Sequence, residues 1–258
     1  MSHRPCRAGR ALVAGVLPLT VALALAGCGS EEEPAAAASS STSSSSSGSA
    51  TTEAKAPSAS ELYTKARATA LASKSAHIVG EMTNEGKKLV IDLAGTVDGK
   101  NQSLELSEGG DSKVTIVTVG GQNYLSATEE FWADQVGADL AKNLQGRFVV
   151  LPDAQAKEFG DLTLKSLLTE MFEDKGLSVL QSANATVEKT TVDGADAWKI
   201  TEKVGGDGAA LIVSADEKAT LLRIEGTKES PGKLDFSEWD KVPALEAPAK
   251  SKIIELPK

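Results

Sequence analysis

The sequence predicts an α+β domain built on a curled antiparallel sheet of about ten strands, an open half-barrel with helices across its concave face. Three observations predict it. Two blocks of about five strand-like segments are punctuated by Gly-containing breaks. Apolar residues ahead of the first block and between the two recur at helical spacing. A hairpin-connected sheet of that width curls or closes, and amphipathic helices must bury their apolar stripe against it.

Order is expected to begin near Ser58. Ser58-Ala-Ser-Glu61 has the spacing of a capping box, and Leu62, Tyr63, Ala66 and Ala70 follow on one helical stripe that ends before Ser75. His77–Met82 then reads as a strand, broken at Asn84-Glu-Gly86. Leu89, Ile91, Leu93 and Val97 alternate with more polar neighbours up to Asp98-Gly99. Leu104 and Leu106 follow, with a break at Gly109-Gly110. Val114, Ile116, Val117 and Val119 come next, with a break at Gly120-Gly121 before Tyr124-Leu125. Each break supplies residues that accept φ > 0, as tight hairpins require.

The period then changes. Phe131, Trp132, Val136, Leu140 and Leu144 fit one helix of about fifteen residues. Phe148–Leu151 is a short apolar run closed by Pro152. Leu164, Leu167, Leu168, Met171 and Phe172 stand at i, i+3, i+4, i+7 and i+8, an amphipathic stripe with a stop expected at Lys175-Gly176. Strand signals resume over 185–192, 197–204, 209–214, 220–226 and 233–236.

Composition narrows the function. The chain has 258 residues, a formal net charge of −9 and 41% hydrophobic residues, which excludes collagen, coiled coil and wholesale disorder. A pI near 4.9 argues against nucleic acid as a partner, because a phosphate backbone demands a basic face.

The first residues set the location. Arg4, Arg7 and Arg10 precede an apolar stretch too short for a membrane-spanning helix, which needs about 20 residues, and Pro18 interrupts it. An ordinary secretory signal or a short anchor is one reading. Leu25-Ala-Gly-Cys28 looks like the bacterial lipobox, in which the Cys takes a diacylglyceryl group, with palmitate-type chains, and becomes the new N-terminus. The expected organisation is a lipoprotein signal peptide over 1–27, a disordered Ser/Ala-rich tether over 28–57, a domain over 58–248 and a C-terminal tail over 249–258. The tether would reach roughly 30 Å. Processing leaves 24 basic and 36 acidic residues, a net charge of −12, with His77 as the one histidine and no free thiol. The expected partner is the extracytoplasmic face of the cell membrane, held through diacylglyceryl-Cys28. The protein is expected as a monomer that needs no cofactor.

Taken together, the lipobox, the tether, the opening helix and the strand–helix–strand order resemble the LppX/LprG-type lipoproteins of actinobacterial envelopes, which share the LolA-like fold. Local echoes are Ser75-Ala-His-Ile78, Gly120-Gly-Gln-Asn-Tyr124 with Phe131-Trp132, and Leu234-Asp-Phe-Ser-Glu-Trp239 with Val242-Pro243. The resemblance covers about residues 58–248. It implies carriage of an acylated lipid in an apolar cavity, hence lipid binding or transport and a lipid ligand as a further partner.

Candidate chemistry is sparse, and no enzyme is expected. With one histidine and no free cysteine, a nucleophile–His arrangement would have to be built on His77, and no zinc spacing exists. No phosphate-cradling glycine motif occurs, and Gly120-Gly121-Gln122 reads as a turn. Carboxylate pairs such as Glu129-Glu130 read as solvated surface, and Glu31–Glu33 reads as charge in the tether, so no catalytic or metal site is assigned. The residues expected to line a ligand space are Leu89, Ile91, Leu93, Leu104, Leu106, Val114 and Ile116 on the strands, with Leu164, Leu167, Leu168, Met171 and Phe172 on the helix. The same stripe equally reads as simple packing. A lipid-free interaction or sensor domain on the same scaffold is the alternative function.

Overall fold

The computed structural model describes residues 56–84, 86–109, 112–152, 163–173, 175–202 and 208–254. The signal segment, Cys28 and the tether lie outside them.

Helix α1 (Ala59–Ala72) starts at a formed capping box: the Ser58 hydroxyl accepts from the Glu61 amide, and the Glu61 carboxylate accepts from the Ser58 amide at 3.0 Å. A meander follows: β1 (Ser75–Asn84), β2 (Lys87–Thr96), β3 (Asn101–Glu108), β4 (Lys113–Val119) and β5 (Gln122–Ala127). The helix expected from Phe131 to Leu144 is two, α2 (Glu129–Val136) and α3 (Ala138–Leu144). Gly137 separates them at φ 89° and ψ 153°, far from helical values, so the apolar stripe continues while the backbone turns. Strand β6 is Phe148–Val150.

Helix α4 (Leu164–Glu173) carries the second stripe. The stop expected at Lys175-Gly176 is instead a short helix α5 (Lys175–Ser178), continued by a 3₁₀ turn (Val179–Gln181) that buries Leu180. Strands β7 (Ala185–Val192), β8 (Ala195–Glu202), β9 (Ala210–Ser214), β10 (Leu221–Glu225) and β11 (Gly232–Ser237) form the second meander. Lys250–Lys252 is a 3₁₀ turn leading to β12 (Ile253–Ile254), so residues expected in a tail rejoin the sheet.

All twelve strands form one open sheet in the order β12-β6-β5-β4-β3-β2-β1-β11-β10-β9-β8-β7. The architecture is the expected α+β fold with an open, unclosed sheet, but with twelve strands where about ten were expected. The sheet is also mixed, because β12 runs parallel to β6. The two meanders join at the β1–β11 pair. From β6 near one end the chain reaches β7 at the other, and α4, α5 and the 3₁₀ turn lie along that crossing. Topology thus puts these helices over the sheet.

Register aligns the apolar side chains into two rows on the covered face. One runs Val187, Ile200, Leu211, Ile224, Leu234, Gly80, Ile91, Leu106, Val114, Ala127, from β7 to β5. The other runs Phe236, Ile78, Leu93, Leu104, Ile116, Leu125, Val149, Ile254, from β11 to β12. The alternate residues carry charge: Lys199 pairs with Glu225, Lys88 with Glu81, and Lys113 with Glu105. Among the described residues no helix is long and apolar enough to cross a membrane.

Candidate ligand-binding site

Two separate helical caps cover the apolar rows. The larger is α1, α4, α5 and the 3₁₀ turn, packed on Ile78, Ile91, Leu93 and Leu104 and on the inward residues of β8–β11. Tyr63 ties it together: its hydroxyl donates to the Phe172 carbonyl, and the two rings meet edge-on at 5.5 Å. The smaller is α2–α3, packed on Ile116, Leu125, Ala127 and Val149. Leu104 and Ile116 are cross-strand partners yet belong to different clusters, so the boundary between the caps follows the β3–β4 pair.

The strand residues expected to line a ligand space all have the parity of the covered face, and those of α4 lie on its stripe. Ile91, Leu93, Leu104, Ile116, Leu164, Leu168 and Phe172 are buried against protein, with Leu164 and Leu168 at 0% exposure. Leu89, Leu106, Val114, Leu167 and Met171 are half-buried. Leu106 and Val114 face one another across β3–β4, the first packed against the larger cluster and the second against the smaller. Leu106 and Val114 are therefore apolar surface left partly uncovered where the two clusters meet.

One residue of this face has an unusual polar atom. Trp132, on α2, is 4% exposed, and its indole Nε1–H meets no acceptor among the described residues. A buried donor without a partner costs about 1–3 kcal/mol. The sequence places Trp132 on a helical stripe but carries no sign of this, because an unmet donor is a property of packing.

The opposite face offers different chemistry. An open cleft of about 660 Å³ lies between the β7–β8 turn, β10 and the end of β11, with Leu222, Arg223, Lys233, Asp235 and Trp239 in its lining. Asp235 bonds both the Arg223 Nε–H and the Lys233 ammonium. Burial pushes its carboxyl up, but hydrogen bonds and charge from Lys233 and Arg223 outweigh that and hold it below its ordinary value. His77 also lies off the covered face, with Nε2 2.8 Å from Asp92 Oδ1. Gly120 and Gly121, at φ 61° and 84°, form the β4–β5 turn. Among the described residues no group of three metal-ligating side chains comes together.

No family model and no curated protein matches the chain. Solved structures similar to it include LprF from Mycobacterium bovis, at 13% identity over 74% of this chain and 97% of that one, with a TM-score of 0.45. The Mycobacterium tuberculosis lipoprotein LppX matches at 11% identity over 73% of this chain and 98% of that one, with a TM-score of 0.41. An uncharacterized conserved protein from Thermus thermophilus matches at 11% identity over 77% and 99%, with a TM-score of 0.34. LppX is of the LppX/LprG type that the sequence resembles.

Proposed function

We propose that the protein is a membrane-anchored extracytoplasmic lipoprotein that binds an apolar, acyl-chain ligand between the sheet and its two caps, without an enzymatic step. The observation that carries this reading is the half-buried Leu106–Val114 pair, set where two separate caps meet over apolar rows that continue unbroken beneath both. Hydrocarbon laid along that boundary would be held by non-directional burial, at about 25 cal/mol per Å² of apolar area. Seven of the twelve expected lining residues are packed against protein already. On this reading the caps move apart as a chain enters, and the ligand replaces contacts between cap and sheet.

The test is direct. The exported chain, residues 28–258 with Cys28→Ser to keep it out of the membrane, is purified, extracted with organic solvent and searched for lipid by mass spectrometry. Lipid near one equivalent supports the reading. A clean extract, repeated after incubation with diacyl phospholipid vesicles, rejects it and leaves a tethered interaction domain.

A further inference from the structure

We propose that Trp132 reads the ester linkage of the bound lipid, its indole Nε1–H donating to the ester carbonyl oxygen. The inference deepens the acyl-chain reading above and rests on it. Buried N–H groups almost always have partners. Trp239 in the same protein follows that rule, with Nε1 donating to the Leu221 carbonyl at 2.9 Å. Trp132 does not.

Its surroundings narrow what could complete the bond. The described residues of its cluster, among them Ile116, Leu125, Ala127, Val149 and Leu151, have hydrocarbon side chains, and the neighbouring ring is Phe131 at 5.4 Å. A water molecule needs two to four polar partners, and this cluster supplies one side-chain donor. A phosphate or free carboxylate would bring a full charge into a cluster whose described members are apolar. An ester carbonyl satisfies both conditions: it is uncharged, a single donor is enough to pair it, and it arrives attached to hydrocarbon that the rows can bury. The α2–α3 cap also has a place to give, because Gly137 between its two short helices sits at φ 89° with nothing within 4 Å of where a Cβ would be. The ligand class is therefore an ester-linked acyl lipid, sensed at its linkage.

The chain has three tryptophans, so a ¹⁵N-labelled sample of the exported chain with Cys28→Ser gives three indole N–H resonances. The probes are monopalmitoylglycerol and its ether counterpart, 1-O-hexadecylglycerol. The ester is expected to bind about tenfold more tightly, the difference of one added hydrogen bond. Only the ester should move the Trp132 resonance downfield. Trp132→Phe, which keeps an aromatic ring and removes the donor, should still take up the ether and should lose the preference. Equal binding of both lipids with a stationary Trp132 resonance overturns the inference and leaves the carrier reading intact. Uptake of neither lipid overturns both. Because the resonance is followed in the chain that retains Trp132, the test stands even where Trp132→Phe fails to fold.

Discussion

Gly80 faces Leu234 across the β1–β11 pair, and a Cβ on Gly80 would lie 2.9 Å from the Leu234 Cδ2 and 2.0 Å from the Lys233 carbonyl oxygen. This pair is the seam between the two meanders, and Gly232 is also confined there, where a Cβ would lie 2.7 Å from the Glu81 carbonyl oxygen. The nearest obstacles at both positions are backbone atoms, which cannot turn aside as the Leu234 side-chain tip can. Gly80→Ala is therefore expected to cost about 1–3 kcal/mol, the range for an overfilled site. Urea denaturation followed by circular dichroism checks this. An unchanged midpoint would mean that the strands separate at the seam without loss.

The end of the chain works as a strap. Asn101, at the start of β3, donates through Nδ2 to the Leu245 carbonyl at 2.9 Å and accepts from the Leu245 amide at 2.7 Å. Beyond it, β12 pairs with β6, a strand of three residues near one end of the sheet. Asn101→Ala is expected to cost about 1–3 kcal/mol, from two neutral hydrogen bonds at about 0.5–1.5 each. Truncation after residue 248 should expose β6 as an edge and raise its amide exchange, leaving β8–β11 unaffected. Hydrogen-exchange mass spectrometry separates the two effects.

The first meander was legible because each strand alternates and each turn carries residues that tolerate positive φ, as Gly120 and Gly121 do. Alternation also identified the covered face, since a strand's parity is local information. The β1–β11 seam was not legible, because it joins residues such as Ile78 and Phe236 that no local pattern relates. Strand β12 has two residues, too few for any period to show. The division of α2 from α3 turned on one glycine in a continuous apolar stripe. Which predicted lining residues are half-buried depends on where two caps end, and the orphaned Trp132 donor depends on what stands around it. Both are properties of packing.

Asp235 gives the protein a specific acid sensitivity. Its carboxyl titrates below its ordinary value when folded, so the unfolded chain takes up its proton first as pH falls. The stabilisation from Asp235 is fully present above the unfolded value, about 3.9, and is lost as pH falls from there through the folded value. The pair is partly exposed, so Asp235→Asn is expected to cost about 1 kcal/mol or less at pH 7. It should also flatten the fall in stability below about pH 4, with no change in slope between pH 6 and 8. Urea midpoints across that range check the sign, and a variant as acid-sensitive as the parent contradicts the assignment.

On the lipoprotein reading proposed above, membrane attachment comes from Cys28 alone, because residues 28–258 carry 24 basic and 36 acidic residues. Anionic headgroups repel a body of that charge, whereas two acyl chains contribute about 0.8 kcal/mol for each buried methylene. Three outcomes follow from that opposition. The anchored protein should stay in the membrane fraction through a high-salt wash and leave it in detergent. Cys28→Ser should take up no labelled palmitate and should keep the leading residues 1–27, giving a heavier band. Residues 58–258 by themselves should fail to sediment with phosphatidylglycerol vesicles even at low ionic strength, where an attractive patch would act most strongly. Sedimentation that disappears as salt is raised would show that the body carries a membrane-binding surface of its own, and would remove the acyl anchor from its place as sole attachment.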